Sequence, residues 1–321
     1  MIVRWGLEEL PGLLRELAIE RPFLVASERW DSVGLRIEPA GRWSEVPSDR
    51  VGEAAAQASG ADGVLALGGG SAIDLGKAIG VETGLPLVSV PTTYAGAEWT
   101  PFFGVRGRDR KMRGGGAGAE LAGAVYEPRL TLDLPRAETV GTAMNALAHS
   151  AEALYVDGHN EDADAHALEG ARLISEFLPR VVDTPRDVES RRGLLEGAMH
   201  GGAALGGSML ALGHAMAQAL GGRYGLPHGA LNAIVLPAAL RFNEPVAGAA
   251  LRRFGEAVGG DPVERAQELA RLGGFERLRD LGVPEDELDE VAAAAAERAG
   301  AKANPRPASP ADVAELLRSV W

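Results

Sequence analysis

Between residues 20 and 92 short apolar runs alternate with stretches that repeat at helical spacing. Phe23-Leu24-Val25-Ala26, Val64-Leu65-Ala66-Leu67 and Leu87-Val88-Ser89-Val90 are each bounded by Gly or Pro, which predicts strands. A further extended piece is expected at Leu130-Thr131-Leu132, and a helix over about 72–81 follows a glycine cluster. This alternation predicts βαβ units and a parallel sheet.

From Pro135 onward the period changes. Residues 139–155, 163–178, 190–206 and 209–220 carry apolar positions at helical spacing, so the second half is expected to be helical. Breaks are predicted at Pro179, Pro185, Pro227 and Pro245, with later ones at Asp261-Pro262 and Gly282-Val283-Pro284. We expect an α/β dinucleotide-binding domain over 1–135, Rossmann-like with a parallel sheet, and an all-helical catalytic domain over 136–321.

Composition narrows the function. The chain of 321 residues suits two domains and has no cysteine, which excludes disulfides, thiolate metal ligands and a cysteine nucleophile. A net charge of −13 opposes binding to phosphate backbones, so nucleic acid is not an expected partner. No apolar stretch is long enough for a membrane span, and the start lacks the layout of a secretory signal. A cytoplasmic enzyme is expected.

Gly68-Gly69-Gly70-Ser71 lies between a predicted strand and a predicted helix, where backbone amides can converge on an anion at the helix start. Three glycines also suit a plain tight turn, so the tetrapeptide alone leaves both readings open. The longer segment Gly68 to Ala78, with Asp74 and Lys77, resembles the GGGS-x-x-D-x-x-K-A signature of iron-containing alcohol dehydrogenases. Pro91-Thr92-Thr93-Tyr94-Ala95-Gly96-Ala97-Glu98-Trp99-Thr100-Pro101 is similar to a segment of the maleylacetate reductase branch of that superfamily. The resemblance implies NAD or NADP as cofactor, held by Gly68, Gly69, Gly70, Ser71, Asp74, Lys77, Thr92 and Thr93. Just after the strand expected at Phe23–Ala26, Glu28 favours NAD while Arg29 suits the extra phosphate of NADP, so both cofactors stay open.

Three of the six histidines sit in recognisable frames: His149, His214 and His228. His159, His166 and His200 are expected to be solvated or capping residues. Asn145 and His149 are four apart in a helical pattern and therefore share a face. Metal-dependent members of the family carry Asp-x-x-x-His here, whereas Asn145-Ala146-Leu147-Ala148-His149 resembles the maleylacetate reductase form. A neutral amide is a poor ligand for a dication, so a catalytic metal is not expected; His149, His214 and His228 are the candidates if one binds.

The resemblance runs from about Gly60 to Asn243 and resumes at Asn304-Pro305-Arg306-Pro307, with a contracted N-terminal region. It implies the fold shared with dehydroquinate synthases, an α/β nucleotide-binding domain and a helical domain with the active site in the cleft between them, and a homodimer. It also implies hydride transfer from NAD(P)H to the alkene of maleylacetate, with Asn145, His149, His214 and His228 as catalytic residues. The substrate is expected to be a small anion, with Tyr94, Lys111 and Gln218 as its candidate contacts. Gln218 stands where the family generally has histidine, Lys302 where a tyrosine is expected, and Arg113-Gly114-Gly115-Gly116 replaces the usual polar sequence. These departures keep two rivals in view: a metal-dependent alcohol dehydrogenase, and a non-redox lyase or cyclase built on the same fold.

Overall fold

A computed structural model describes residues 1–321, which cluster into two compact units. The first comprises Met1–Thr93 and Ala97–Thr131, the second Tyr94–Gly96 and Leu132–Trp321.

The first unit holds β1 (Ile2–Trp5), α1 (Leu10–Glu16), β2 (Pro22–Val25), β3 (Gly41–Trp43), α2 (Val51–Gln57), β4 (Gly63–Gly68), α3 (Gly70–Thr83), β5 (Leu87–Pro91), β6 (Phe103–Arg106), β7 (Met112–Gly116) and β8 (Leu121–Tyr126). Six strands form one parallel sheet in the order β1-β8-β5-β4-β2-β3, while β6 and β7 make a separate antiparallel hairpin. Successive side chains of β4 leave opposite faces. Val64 and Ala66 pack with Phe23, Ile73 and Ile79, whereas Leu65 and Leu67 pack with Leu10, Leu13 and Val90. Burial on both faces explains why these strands read as continuous apolar runs.

The predicted extended piece at Leu130-Thr131-Leu132 is overturned. Pro128–Thr131 is a turn of 3-10 helix, closed by the Thr131 hydroxyl donating to the Pro128 carbonyl at 2.7 Å. The pairing strand lies upstream, at β8, and its small residues hid it. Gly123 lies close against α1, where a Cβ would stand 3.0 Å from Leu13 Cδ2.

The second unit is built from α4 (Arg136–Ala153), α5 (Glu161–Asp183), α6 (Val188–Gly206), α7 (Leu212–Tyr224), α8 (His228–Val258), α9 (Pro262–Arg271), α10 (Leu288–Ala296), α11 (Ala299–Lys302) and α12 (Pro310–Ser319). Pro185 and Pro227 fall between helices as expected, but Pro179 lies inside α5 and Pro245 inside α8. Two residues after Pro245 the backbone leaves helical geometry at Ala247 (φ −112°, ψ 17°), so α8 is two helices meeting at a kink, the break expected at this proline. Glycines on α6 bring helices close: a Cβ on Gly201 would stand 2.6 Å from the Ala146 carbonyl oxygen of α4. No helix is long and apolar enough to cross a membrane.

Candidate active site

Three helices of the second unit bring polar side chains together. Helix α4 supplies Asn145 and His149, α7 supplies His214 from its first turn, and α8 supplies His228 and Asn232. The rings of His149 and His214 stack with centroids 4.8 Å apart, and those of His214 and His228 lie 5.8 Å apart. The structure thus gathers the four residues expected to be catalytic.

Two buried amides set the hydrogen-bond polarity. Asn145 Nδ2 donates to the Ala95 carbonyl at 3.0 Å and faces His149 Nε2 at 3.3 Å. Asn232 Nδ2 donates to Asn145 Oδ1 at 2.6 Å and faces His228 Nε2 at 3.1 Å. The Ala95 carbonyl can only accept, so it dictates the orientation of both amides. Each amide N–H then requires a lone pair on the facing Nε2. The neutral rings of His149 and His228 therefore carry their proton on Nδ1.

That tautomer makes the His149 Nδ1–H a buried donor without a partner in the protein. Burial, followed by electrostatic repulsion from the neighbouring imidazoles of His214 and His228, pushes His149 well below the ordinary imidazole range, so it stays neutral. His214 is oriented differently. Its Nδ1 lies 2.7 Å from the fully buried Glu152, which also accepts the backbone N–H of Ala211 at 2.7 Å and of His214 at 3.2 Å. Its Nε2 is left buried and unpartnered.

A divalent cation needs several convergent lone pairs and negative charge. Here amide N–H groups face Nε2 of both His149 and His228, and Glu152 is spent on three N–H donors. No three His, Asp or Glu side chains converge on one point.

The first unit holds the glycine turn. Gly68 ends β4 with φ +154°, and Gly69 precedes α3, whose start no side chain caps. A Cβ on Gly69 would stand 2.8 Å from Thr93 Cγ2, so the concavity exists only with glycine. The Thr92 hydroxyl beside it is buried without a partner. Glu28 is exposed in a short helical turn after β2, at the same end of the sheet. A free helix start, a cradle that a Cβ would fill and an orphaned hydroxyl fit the pyrophosphate of a dinucleotide.

Asp74 and Lys77, expected beside the cofactor, are committed elsewhere. The buried Lys77 ammonium donates to Asp74 Oδ1 at 3.2 Å, Thr100 Oγ1 at 3.2 Å and the Phe102 carbonyl at 2.9 Å, and Asp74 Oδ2 accepts the Gly104 N–H at 3.2 Å. The pair clasps the β6–β7 hairpin to α3. Burial pushes the Asp74 carboxyl upward against the pull of Lys77.

Among the substrate candidates, Gln218 is half-buried on α7, one turn after His214. Lys111 is exposed in the hairpin turn, and Tyr94 is 0% exposed. Lys302 forms an exposed ion pair with Glu297 at 3.1 Å. Of the histidines set aside, His159 is solvated, but His166 and His200 are half-buried with their Nδ1 atoms 2.8 Å apart. Sequence reasoning missed Asn232 and the role of Glu152. The spacing of His228 and Asn232 mirrors that of Asn145 and His149 and was the available signal; Glu152, three residues after His149, carried none.

Known proteins share this chain's sequence and fold. The family model for the iron-containing alcohol dehydrogenases matches residues 4–120, and that for the C-terminal region of the Fe-containing alcohol dehydrogenase family matches 139–321. The maleylacetate reductase of Burkholderia cepacia is 38% identical, over 86% of this chain and 79% of its own. That of Sphingobium indicum is 35% identical over 94% and 88%. The crystal structure of maleylacetate reductase from Rhizobium sp. strain MTP-10005 superposes with a TM-score of 0.89 at 30% identity, covering all of this chain and 95% of that one. The chain therefore belongs to the iron-containing alcohol dehydrogenase family and is an NAD(P)-dependent oxidoreductase.

Proposed function

We propose that the chain is a maleylacetate reductase that works without a catalytic metal. The observation that carries this reading is the amide pair Asn145–Asn232, which turns N–H groups toward the imidazoles where a metal enzyme needs lone pairs. The identity with maleylacetate reductases over most of the chain supports the substrate.

NAD(P)H bound at the glycine turn supplies the hydride. The hydride adds to the alkene carbon β to the ketone of maleylacetate, and the electron pair moves onto the ketone oxygen as an enolate. His149 Nδ1–H, a buried donor without a partner, is suited to stabilise that oxygen. His214, its Nδ1–H held by Glu152, is suited to take a second proton on Nε2 and deliver it from there, returning to the neutral ring. Protonation at the carbon α to the ketone then yields 3-oxoadipate. Thr92, Thr93 and Gly68–Ser71 are assigned to the cofactor, and Gln218 to the substrate. Whether NAD or NADP is preferred turns on Glu28 and Arg29.

The test is maleylacetate-dependent loss of the reduced-nicotinamide absorbance with either cofactor, with 3-oxoadipate identified by mass. The proposal expects turnover; none with either cofactor would sink it.

A further inference from the structure

Arg191 is 1% exposed and heads the fully buried side chains by size, yet no carboxylate partners it. It sits in the first turns of α6, where the helix dipole opposes a cation. Its donors reach only neutral oxygens. Nε goes to the Pro185 carbonyl at 3.0 Å, and Nη1 to the Tyr94 hydroxyl at 3.1 Å and Thr139 Oγ1 at 3.2 Å. A buried guanidinium without a counter-ion is an expensive way to fill space, and an apolar side chain of like volume would often serve stability as well.

What the arginine holds explains the expense. Tyr94 opens the segment Tyr94–Gly96, which packs with the second unit. The Tyr94 N–H donates to Thr142 Oγ1 of α4 at 3.3 Å. The Ala95 carbonyl accepts the Asn145 amide. Gly96, at φ +70°, lies so near α6 that a Cβ would stand 3.0 Å from Gly202 Cα. The carbonyl that orients Asn145 is thus adjacent to the residue that Arg191 anchors.

We propose that Arg191 is a positioning residue: through the Tyr94 hydroxyl it holds the Ala95 carbonyl in place, and so selects the His149 tautomer that carries its proton on Nδ1. Its kinetic consequence rests on the function proposed above; its effect on the ring does not. Arg191 touches no reacting atom and acts through Tyr94, Ala95 and Asn145 in sequence.

The experiment uses the full chain with ¹⁵N-labelled histidine and the variants Tyr94→Phe, Arg191→Met and Arg191→Lys. The ring signals of His149 are assigned by their loss in His149→Asn. The wild type should show His149 as a single Nδ1–H species. Tyr94→Phe and Arg191→Met should mix the tautomers and lower kcat about tenfold, with KM for NAD(P)H within about twofold, and Arg191→Lys should recover part of both. Unchanged His149 ring signals in a folded Tyr94→Phe protein would overturn the proposal, even if Arg191→Met failed to fold. Absence of maleylacetate turnover in the wild type would defeat the proposed function instead, and the ring signals would still decide the role of Arg191.

Discussion

Asn232 donates to Asn145 Oδ1 at 2.6 Å, and this bond joins α8 to α4 through two buried amides that each end on a histidine Nε2. Removing the Asn232 amide strands a buried acceptor on Asn145 and frees His228 Nε2. Asn232→Ser should cost on the order of 1–3 kcal/mol of stability. It should also lower kcat/KM by roughly tenfold or more, since two ring orientations loosen together. Urea unfolding and steady-state kinetics check both arms, and wild-type values in both would remove Asn232 from the site.

Asn145→Asp tests the reading of the donor set. A carboxylate cannot donate to the Ala95 carbonyl, so the relay should break and turnover fall at least tenfold. The same change restores the anionic ligand that a dication wants. Calorimetric titration with Zn²⁺ should find tighter binding in the variant than in the wild type. Equal affinity would mean that the amide is not what excludes the metal.

Gly69→Ala places a Cβ 2.8 Å from Thr93 Cγ2, inside the proposed pyrophosphate cradle. Fluorescence titration with NADH should weaken by about tenfold or more, while the melting temperature changes little. The clasp predicts the opposite pattern. Lys77→Met leaves Asp74 facing Gly104 without its cation and should cost roughly 2–3 kcal/mol, discounted for the partial exposure of Asp74, with NADH affinity unchanged within about twofold.

The pH dependence of stability follows from His149, held low first by burial and then by repulsion from the adjacent His214 and His228 rings. The unfolded chain binds a proton near pH 6.5 that the folded chain refuses until its own lower pKa. Unfolding therefore takes up a proton in that window, and stability falls as pH drops below about 6.5, by up to about 1.4 kcal/mol per pH unit. Urea unfolding at pH 7 and pH 5.5 should show the loss, and His149→Asn should reduce the slope. An unchanged slope in the variant would assign the dependence to other groups.

Much of this was legible from spacing. The strands β2, β4 and β5 announced themselves because burial on both faces demands apolar runs, and the i, i+4 rule found Asn145 with His149. Strand β8 did not, since Gly123 and the alanines on either side of it carry no β signal of their own. The clasp of Lys77 and the anchor of Arg191 were invisible for another reason. Each depends on partners 23 to 97 residues away, Thr100 for one and Tyr94 for the other, which no local pattern brings together.

The most direct test of the account is where the hydride lands. Purified protein pretreated with a strong chelator should reduce maleylacetate with NAD(P)H deuterated at the transferring position of C4, and the product should be analysed by NMR. The account predicts full activity after chelation and 3-oxoadipate carrying deuterium on the carbon β to its ketone. Deuterium on the former ketone carbon, in an alcohol product, or activity that vanishes on chelation and returns with metal, would contradict it.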